Sequence, residues 1–217
     1  MKKLFIKKIT VPASRKINIS EAAHHLEKQA ISHSVDQLNW ENFSYQPKVQ
    51  FRIAHTNDQI WLKYYVNEKY ILAQETKTNG DVYKDSCVEF FVSFDNENYY
   101  NFEFNCIGTI HLAYGPGREN RKFVPAKTVE KIDIDPSLGD QPFNEKTGSF
   151  EWEMMIRIPL ECFAYSNFKS LEGLSAKGNF YKCGDETSKP HFVTWNPVKT
   201  GQPDYHQPEY FGKIKFE

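Results

Sequence analysis

Apolar and polar residues alternate with period two over several stretches of this chain, the spacing of strands buried on one face. Phe150-Glu-Trp-Glu-Met-Met-Ile-Arg-Ile158 keeps the pattern over its whole length and stops at Pro159. Val49, Phe51 and Ile53 share a face of a second run. Ile60 to Val66 follows across the polar turn His55-Thr-Asn-Asp58, which predicts a hairpin. A further hairpin is predicted mid-chain, where Cys87 to Phe94 places Val88, Phe90, Val92 and Phe94 on one side. Tyr100 to Asn105 does the same with Phe102 and Phe104, across the turn Asp95-Asn-Glu-Asn98. Glu89, Asn101, Glu103 and Asn105 then occupy the opposite faces, which predicts either a polar site or a solvated surface. One short helix is expected from about Glu21 to Ala30, with Ser20 as N-cap. Together these elements predict an all-β, two-sheet antiparallel β-sandwich with one short peripheral helix.

Length and composition narrow the class. The chain has 217 residues, no internal repeat and no low-complexity linker, so a single domain over 1–217 is expected. Its 17 Phe and 12 Tyr supply an aromatic core suited to strands. A formal net charge of −1 gives no basic field for nucleic acid. Lys2, Lys3, Lys7 and Lys8 flank only Leu4-Phe5-Ile6, too short for the apolar region of a signal peptide. No apolar run reaches the ~18 residues of a membrane span. The chain as given therefore predicts a cytoplasmic location, or a periplasmic or extracellular one if its start is processed or mis-assigned. Four cysteines (Cys87, Cys106, Cys162, Cys183) lack any C-x-x-C pair; reduced, buried thiols are expected for Cys87 and Cys106 inside strand-like runs, and spacing alone leaves a disulfide open.

The last forty residues carry Asn179-Phe-Tyr-Lys182 with Asp185, then Trp195 and Pro197 at the end of a short β-type run, and Phe211-Gly212. With Phe51-Arg-Ile-Ala-His55, Ile60-Trp-Leu-Lys-Tyr, Val82-Tyr-Lys-Asp-Ser-Cys-Val-Glu89, Tyr99-Tyr-Asn-Phe-Glu-Phe-Asn105, Gly108-Thr109, Trp152-Glu and Ile158-Pro159, they form an ordered set over residues 37–217. In that order the chain resembles the family 9 carbohydrate-binding modules, a jelly-roll-like group related to DOMON-type sandwiches. Among these it is similar to stand-alone members from gut Bacteroidetes. The resemblance implies non-catalytic binding of a mono- or oligosaccharide, with polysaccharide utilisation as the setting. In sugar-binding members two aromatic rings sandwich a terminal sugar, and the matching positions here are Tyr83 and Trp195. The family glutamate that bonds sugar hydroxyls matches Glu89. Where a well-studied type has arginine and glutamine, this chain has Glu103 and Lys182. The implied polar contacts are thus Glu89, Glu103, Lys182 and Asn105. Glu103 and Lys182 could pair with each other, or clasp a ligand more polar than a neutral sugar. Loss of affinity in Trp195→Ala with the fold intact is the expectation if that ring is exposed; a protein-interaction sandwich with a degenerated site predicts it buried.

The same residues admit other chemistry. Glu89 and Glu103 on adjacent strands fit the ~5 Å carboxyl spacing of a retaining glycosidase, which makes glycoside hydrolysis the competing reading. That reading predicts a deep cleft and a carboxyl of raised pKa. Cys183, His191 and Asp185 lie close in sequence, but a buried thiol accounts for Cys183 without a nucleophile. His206, before Pro208, suits a hydrogen-bonding or surface role. No cofactor is required. Structural Ca²⁺, which related modules carry, would use the oxygen-rich stretch Asp133, Asp135 and Asp140, whose spacing matches no complete calcium loop. Haem, with Met154 or Met155 and His111 as axial ligands, is disfavoured because Met154 falls on a core face. Arg118 and Arg121 are expected in a solvated loop that could rim a site.

Overall fold

The alternating runs form the strands they predict. In chain order these are β1 (Lys3–Ile6), β2 (His33–Val35), β3 (Gln37–Leu38), β4 (Lys48–His55), β5 (Gln59–Ala73), β6 (Cys87–Ser93) and β7 (Tyr99–Asn105). There follow β8 (Ile110–Gly115), β9 (Lys122–Phe123), β10 (Asp133–Pro136), β11 (Phe143–Pro159), β12 (Ser175–Cys183), β13 (Phe192–Thr194) and β14 (Gly212–Phe216). They come from a computed structural model that describes residues 1–11 and 17–217. One nine-stranded sheet runs β1-β14-β12-β6-β7-β8-β9, with β13 on β12 and β3 on β13; a five-stranded sheet runs β10-β11-β5-β4-β2. The pairings are antiparallel except at the edge, where β1 lies parallel to β14.

Packing of the two sheets follows the predicted faces. Val88, Phe90, Val92, Phe102, Phe104 and Phe180 meet Val49, Phe51, Leu62, Tyr64, Met154 and Ile156 between the sheets. Phe180 stacks on Phe51 at 3.9 Å and on Phe90 at 4.7 Å. Such ring contacts add to the large apolar area each ring removes from water.

The helix α1 (Ile19–Gln29) starts earlier than predicted, and its N-cap is Asn18 rather than Ser20. Asn18 Oδ1 accepts from the Glu21 amide at 2.9 Å, and the Glu21 carboxylate accepts from the Asn18 amide at 3.2 Å. Only the residue three before Glu21 can close that reciprocal box. Ala22 and Leu26 then cover Ala54, Trp61 and Met155 on the outside of the smaller sheet.

The outside of the larger sheet is also covered. Trp40, Tyr99, Tyr181, Val198, Tyr205 and Phe211 form a second apolar cluster there. Tyr205 stacks on Tyr181 at 4.1 Å and donates to the Lys182 carbonyl at 2.9 Å, holding the segment before β14 against the sheet. Trp40 Nε1 donates to the Thr200 carbonyl at 3.0 Å. Glu89, Asn101, Glu103 and Asn105 are consequently buried rather than solvated.

Candidate functional site

Strand register builds the floor of a cleft. Tyr181 of β12 lies opposite Glu89 of β6, Glu89 opposite Glu103 of β7, and Glu103 opposite His111 of β8. Residues paired in this way share one face, so a tyrosine, two acids and a histidine form a row across four strands. The cleft above it has a volume of about 520 Å³. Tyr83, Phe43 and Phe192 supply aromatic wall, while Asp185, Arg118, Arg121, Asp204 and His206 supply polar wall. Tyr83 stands on a single 3-10 turn, Val82–Lys84, and is 37% exposed. Phe43 and Phe192 meet edge to face at 4.8 Å.

Burial sets the electrostatics. Desolvation first, and then the charge of Glu103, hold the Glu89 carboxyl well above the ordinary carboxylate range. Glu89 Oε1 accepts from the Cys183 thiol at 3.1 Å, and Glu103 Oε1 accepts from Asn101 Nδ2 at 2.8 Å. Desolvation, with Glu103 second, raises Asp185 to about 7. Burial, with Arg121 and Arg118 behind it, lowers His206 to about 3. The neutral ring of His206 therefore accepts at Nδ1 from the Tyr99 hydroxyl at 2.8 Å. His111 Nδ1–H donates to the Gly80 carbonyl at 3.0 Å, which leaves its Nε2 as an acceptor. That nitrogen is buried and has no protein partner. Arg118 pairs with Asp204 at 2.9 Å on the rim.

Of the six residues expected to contact ligand, the structure brings Tyr83, Glu89 and Glu103 to this cleft. It places the other three elsewhere. Trp195 is 3% exposed and belongs to the core between the sheets, against Phe180 at 5.7 Å. Its six-membered ring occupies the space that a Cβ at Gly212 would need, so the strand passes beneath the indole as glycine. The exposed platform facing Tyr83 is thus corrected to a core residue, as the degenerated-site alternative anticipated. Lys182 points inward because it shares the face of Phe180, not of Tyr181 and Cys183. Its ammonium is fully buried and makes three contacts of 2.8 Å, to Glu68, to His191 Nε2 and to the Cys183 carbonyl. Pairing of Lys182 with Glu103 is therefore excluded. Asn105 is a brace: its amide donates to the Glu75 carbonyl at 2.8 Å and Asp85 at 2.9 Å and accepts from the Thr109 amide at 2.8 Å.

Several cleft residues had no role in the sequence reading, or a different one. His111 could have been found as the third member of the Glu89–Glu103 row, once β8 is paired to β7. Phe43, Phe192 and Asp185 come from loops and a strand end, which carry no periodic signal. Arg118 and Arg121 line the cleft, whereas a solvated loop was expected. His191 is bound to Lys182, so it does not activate Cys183. Asp133 is engaged by Arg157, whose Nε lies 3.0 Å from it. Among the described residues, the only group of three or more acid, cysteine or histidine donor atoms within 4.8 Å of one another is Cys87, Glu89 and Cys183. All four cysteines are free and buried, as expected for Cys87, Cys106 and Cys183.

Comparison with known proteins agrees with this architecture. The profile of carbohydrate-binding family 9 matches residues 20–216. A crystal structure from Bacteroides uniformis, proposed to be a carbohydrate-binding protein, is 38% identical and superposes with a TM-score of 0.94, covering 100% of this chain and 99% of its own. Two structures of a family 9 module from Caldicellulosiruptor kristjanssonii, one with glucose and one with cellotriose, give TM-scores of 0.61 and 0.62 at 11% and 12% identity. Each covers 100% of this chain, and 96% and 94% of its own respectively; at such identity they speak to the fold alone. Comparison with curated protein sequences gives no match. The profile spans nearly the whole chain, from within α1 to β14, and the chain therefore belongs to carbohydrate-binding family 9.

Proposed function

We propose that this chain is a non-catalytic carbohydrate-binding protein whose sugar lies in the cleft over β6, β7 and β8. The observation that carries this reading is the row Glu89–Glu103–His111 on the floor of a cleft walled by Tyr83, Phe43 and Phe192. Rings cover the C–H face of a sugar, while closely spaced acceptors bond adjacent hydroxyls. Glu103 and the Nε2 of His111 serve as acceptors, and the protonated carboxyl of Glu89 can donate. Tyr83 keeps the platform role, and Phe192, which lines the same cleft, takes the second aromatic role in place of Trp195. The Bacteroides uniformis neighbour supports a carbohydrate ligand, and the glucose and cellotriose complexes of the Caldicellulosiruptor module make glucose-type sugars the first to try. A calorimetric screen of mono- and oligosaccharides is the test. Saturable binding is expected, weakened by about 1 kcal/mol in Tyr83→Ala and weakened also in Glu103→Gln. Heats unchanged in both variants would place the sugar elsewhere.

One observation favours a second reading. Glu89 is a carboxyl of raised pKa beside the carboxylate Glu103, the asymmetry a glycosidase uses for its acid and its nucleophile or base. Burial at 2% exposure accounts for the shift in Glu89 without catalysis. Incubation with the bound oligosaccharide should release no reducing sugar; release that Glu89→Gln abolishes establishes the hydrolase instead.

A further inference from the structure

Beneath the cleft floor, strand register sets two cysteines opposite each other. Cys87 of β6 pairs with Cys183 of β12, and both face the cleft side, two residues along from Glu89 and Tyr181. Cys87, Glu89 and Cys183 bring two sulfurs and a carboxylate oxygen within 4.8 Å of one another. The Cys183 thiol lies 3.1 Å from Glu89 Oε1 and 3.5 Å from the Tyr83 carbonyl. Asp185, in the turn after β12, lines the same cleft two residues on from Cys183. Glu89, Cys183 and Asp185 line the cleft, so the group is reached from solvent without opening the sheet.

From this juxtaposition we propose that Cys87, Cys183, Glu89 and Asp185 form a binding site for a thiophilic divalent cation of the zinc class. The donor set decides the class. Two thiolates select zinc-like ions over Ca²⁺ or Mg²⁺, which take oxygen ligands. Tetrahedral zinc with Zn–S bonds of ~2.3 Å holds its sulfurs roughly 3.8 Å apart, within the separation these side chains already have. Cys87 and Cys183 supply the sulfurs, Glu89 the third ligand and Asp185 the fourth, from the side open to the cleft. On binding, each thiol loses its proton to solvent and each carboxyl binds as carboxylate, so the ion exchanges for those protons. Two thiolates and two carboxylates give a −2 site around M²⁺, and the guanidinium of Arg121 acts on Glu89 from the cleft wall. The site is independent of whether a sugar binds, although an ion there would take Glu89 out of any sugar contact.

Titration of the reduced full-length chain with Co²⁺, followed in the near ultraviolet and visible, tests the proposal. One equivalent should give thiolate-to-cobalt charge transfer and the visible bands of a tetrahedral site, and Zn²⁺ should displace it. Cys183→Ser should weaken Co²⁺ by more than the roughly 10–100-fold that loss of a supporting hydrogen bond costs. Cys162→Ser, remote from the cleft, should bind as the parent does. Glu89→Gln, nearly isosteric, keeps the test informative if the cysteine variant does not fold. Absence of charge transfer in the folded parent overturns the site, as does a band that survives Cys183→Ser or Glu89→Gln unchanged. Isolation of a Cys87–Cys183 disulfide that takes up no cobalt after reduction overturns it too.

Discussion

At the scale of single residues, the direction a side chain takes decides its role more than its type does. Lys182 and Tyr181 are neighbours, yet one ammonium is sealed between the sheets and one ring faces the cleft side. The buried ammonium is tolerated because it donates to His191 and a carbonyl and forms an ion pair with Glu68. Glu68 in turn accepts from Trp152 Nε1 at 2.7 Å. Burial, with the Lys182 charge second, drives His191 well below its ordinary range, so it accepts as a neutral ring. Breaking such a pair leaves one charge stranded, whereas replacing both members can be nearly neutral. Lys182→Met should therefore cost about 3–5 kcal/mol in urea denaturation, and a Lys182→Met, Glu68→Gln double variant should recover much of the loss. Equal costs in the single and double variants would contradict the pairing.

Among the elements, α1 is the one whose start depends on a local signal. Asn18 and Glu21 satisfy each other's backbone donors, and Leu26 anchors the opposite end to the outside of the smaller sheet. Asn18→Ala should lower stability by about 1 kcal/mol in thermal or chemical denaturation, with sugar binding unchanged because α1 does not line the cleft. The strands were the most legible part of the sequence. Period-two alternation identified the inward faces of β4, β6, β7 and the second half of β11, because a face buried against another sheet is predominantly apolar. It also put Glu89 and Glu103 on one face. It did not reveal what lies above that face. The covering segment around Pro203 to Tyr210 has no period, and its position rests on long-range contacts such as Tyr181 with Tyr205. Trp195 was misread for a related reason. A ring at a strand end can turn either way, and here the turn depends on Gly212, seventeen residues on. The same limit hid Glu68 as the partner of Lys182, since charge pairs across a core leave no mark in local spacing.

For the molecule as a whole, the cleft also shapes stability against acid. Burial lowers His206 to about 3 from 6.5, with Arg121 and Arg118 adding to the shift. Because the folded value is the lower, the fold prefers the neutral ring. Its contribution is present above about pH 6.5 and is lost as pH falls toward 3. His206→Gln should therefore lose less stability than the parent between about pH 6 and pH 4, a difference on the order of 2 kcal/mol. Parallel pH profiles would show that His206 is not held neutral in the fold. The two sheets make a rigid frame, and the cleft lies on its outer side, between the larger sheet and the segment that wraps it. Family 9 membership makes the proposed sugar recognition by the acidic row and the wall rings the central claim to test. The most direct measurement is a crystal structure of the protein soaked with the tightest-binding sugar of the calorimetric screen. A sugar ring against Tyr83, with hydroxyls on Glu103 and His111 Nε2, is the predicted result. A sugar seated elsewhere, such as the recess between Phe94 and Ile214, with the Glu89–Glu103–His111 row untouched, would contradict it.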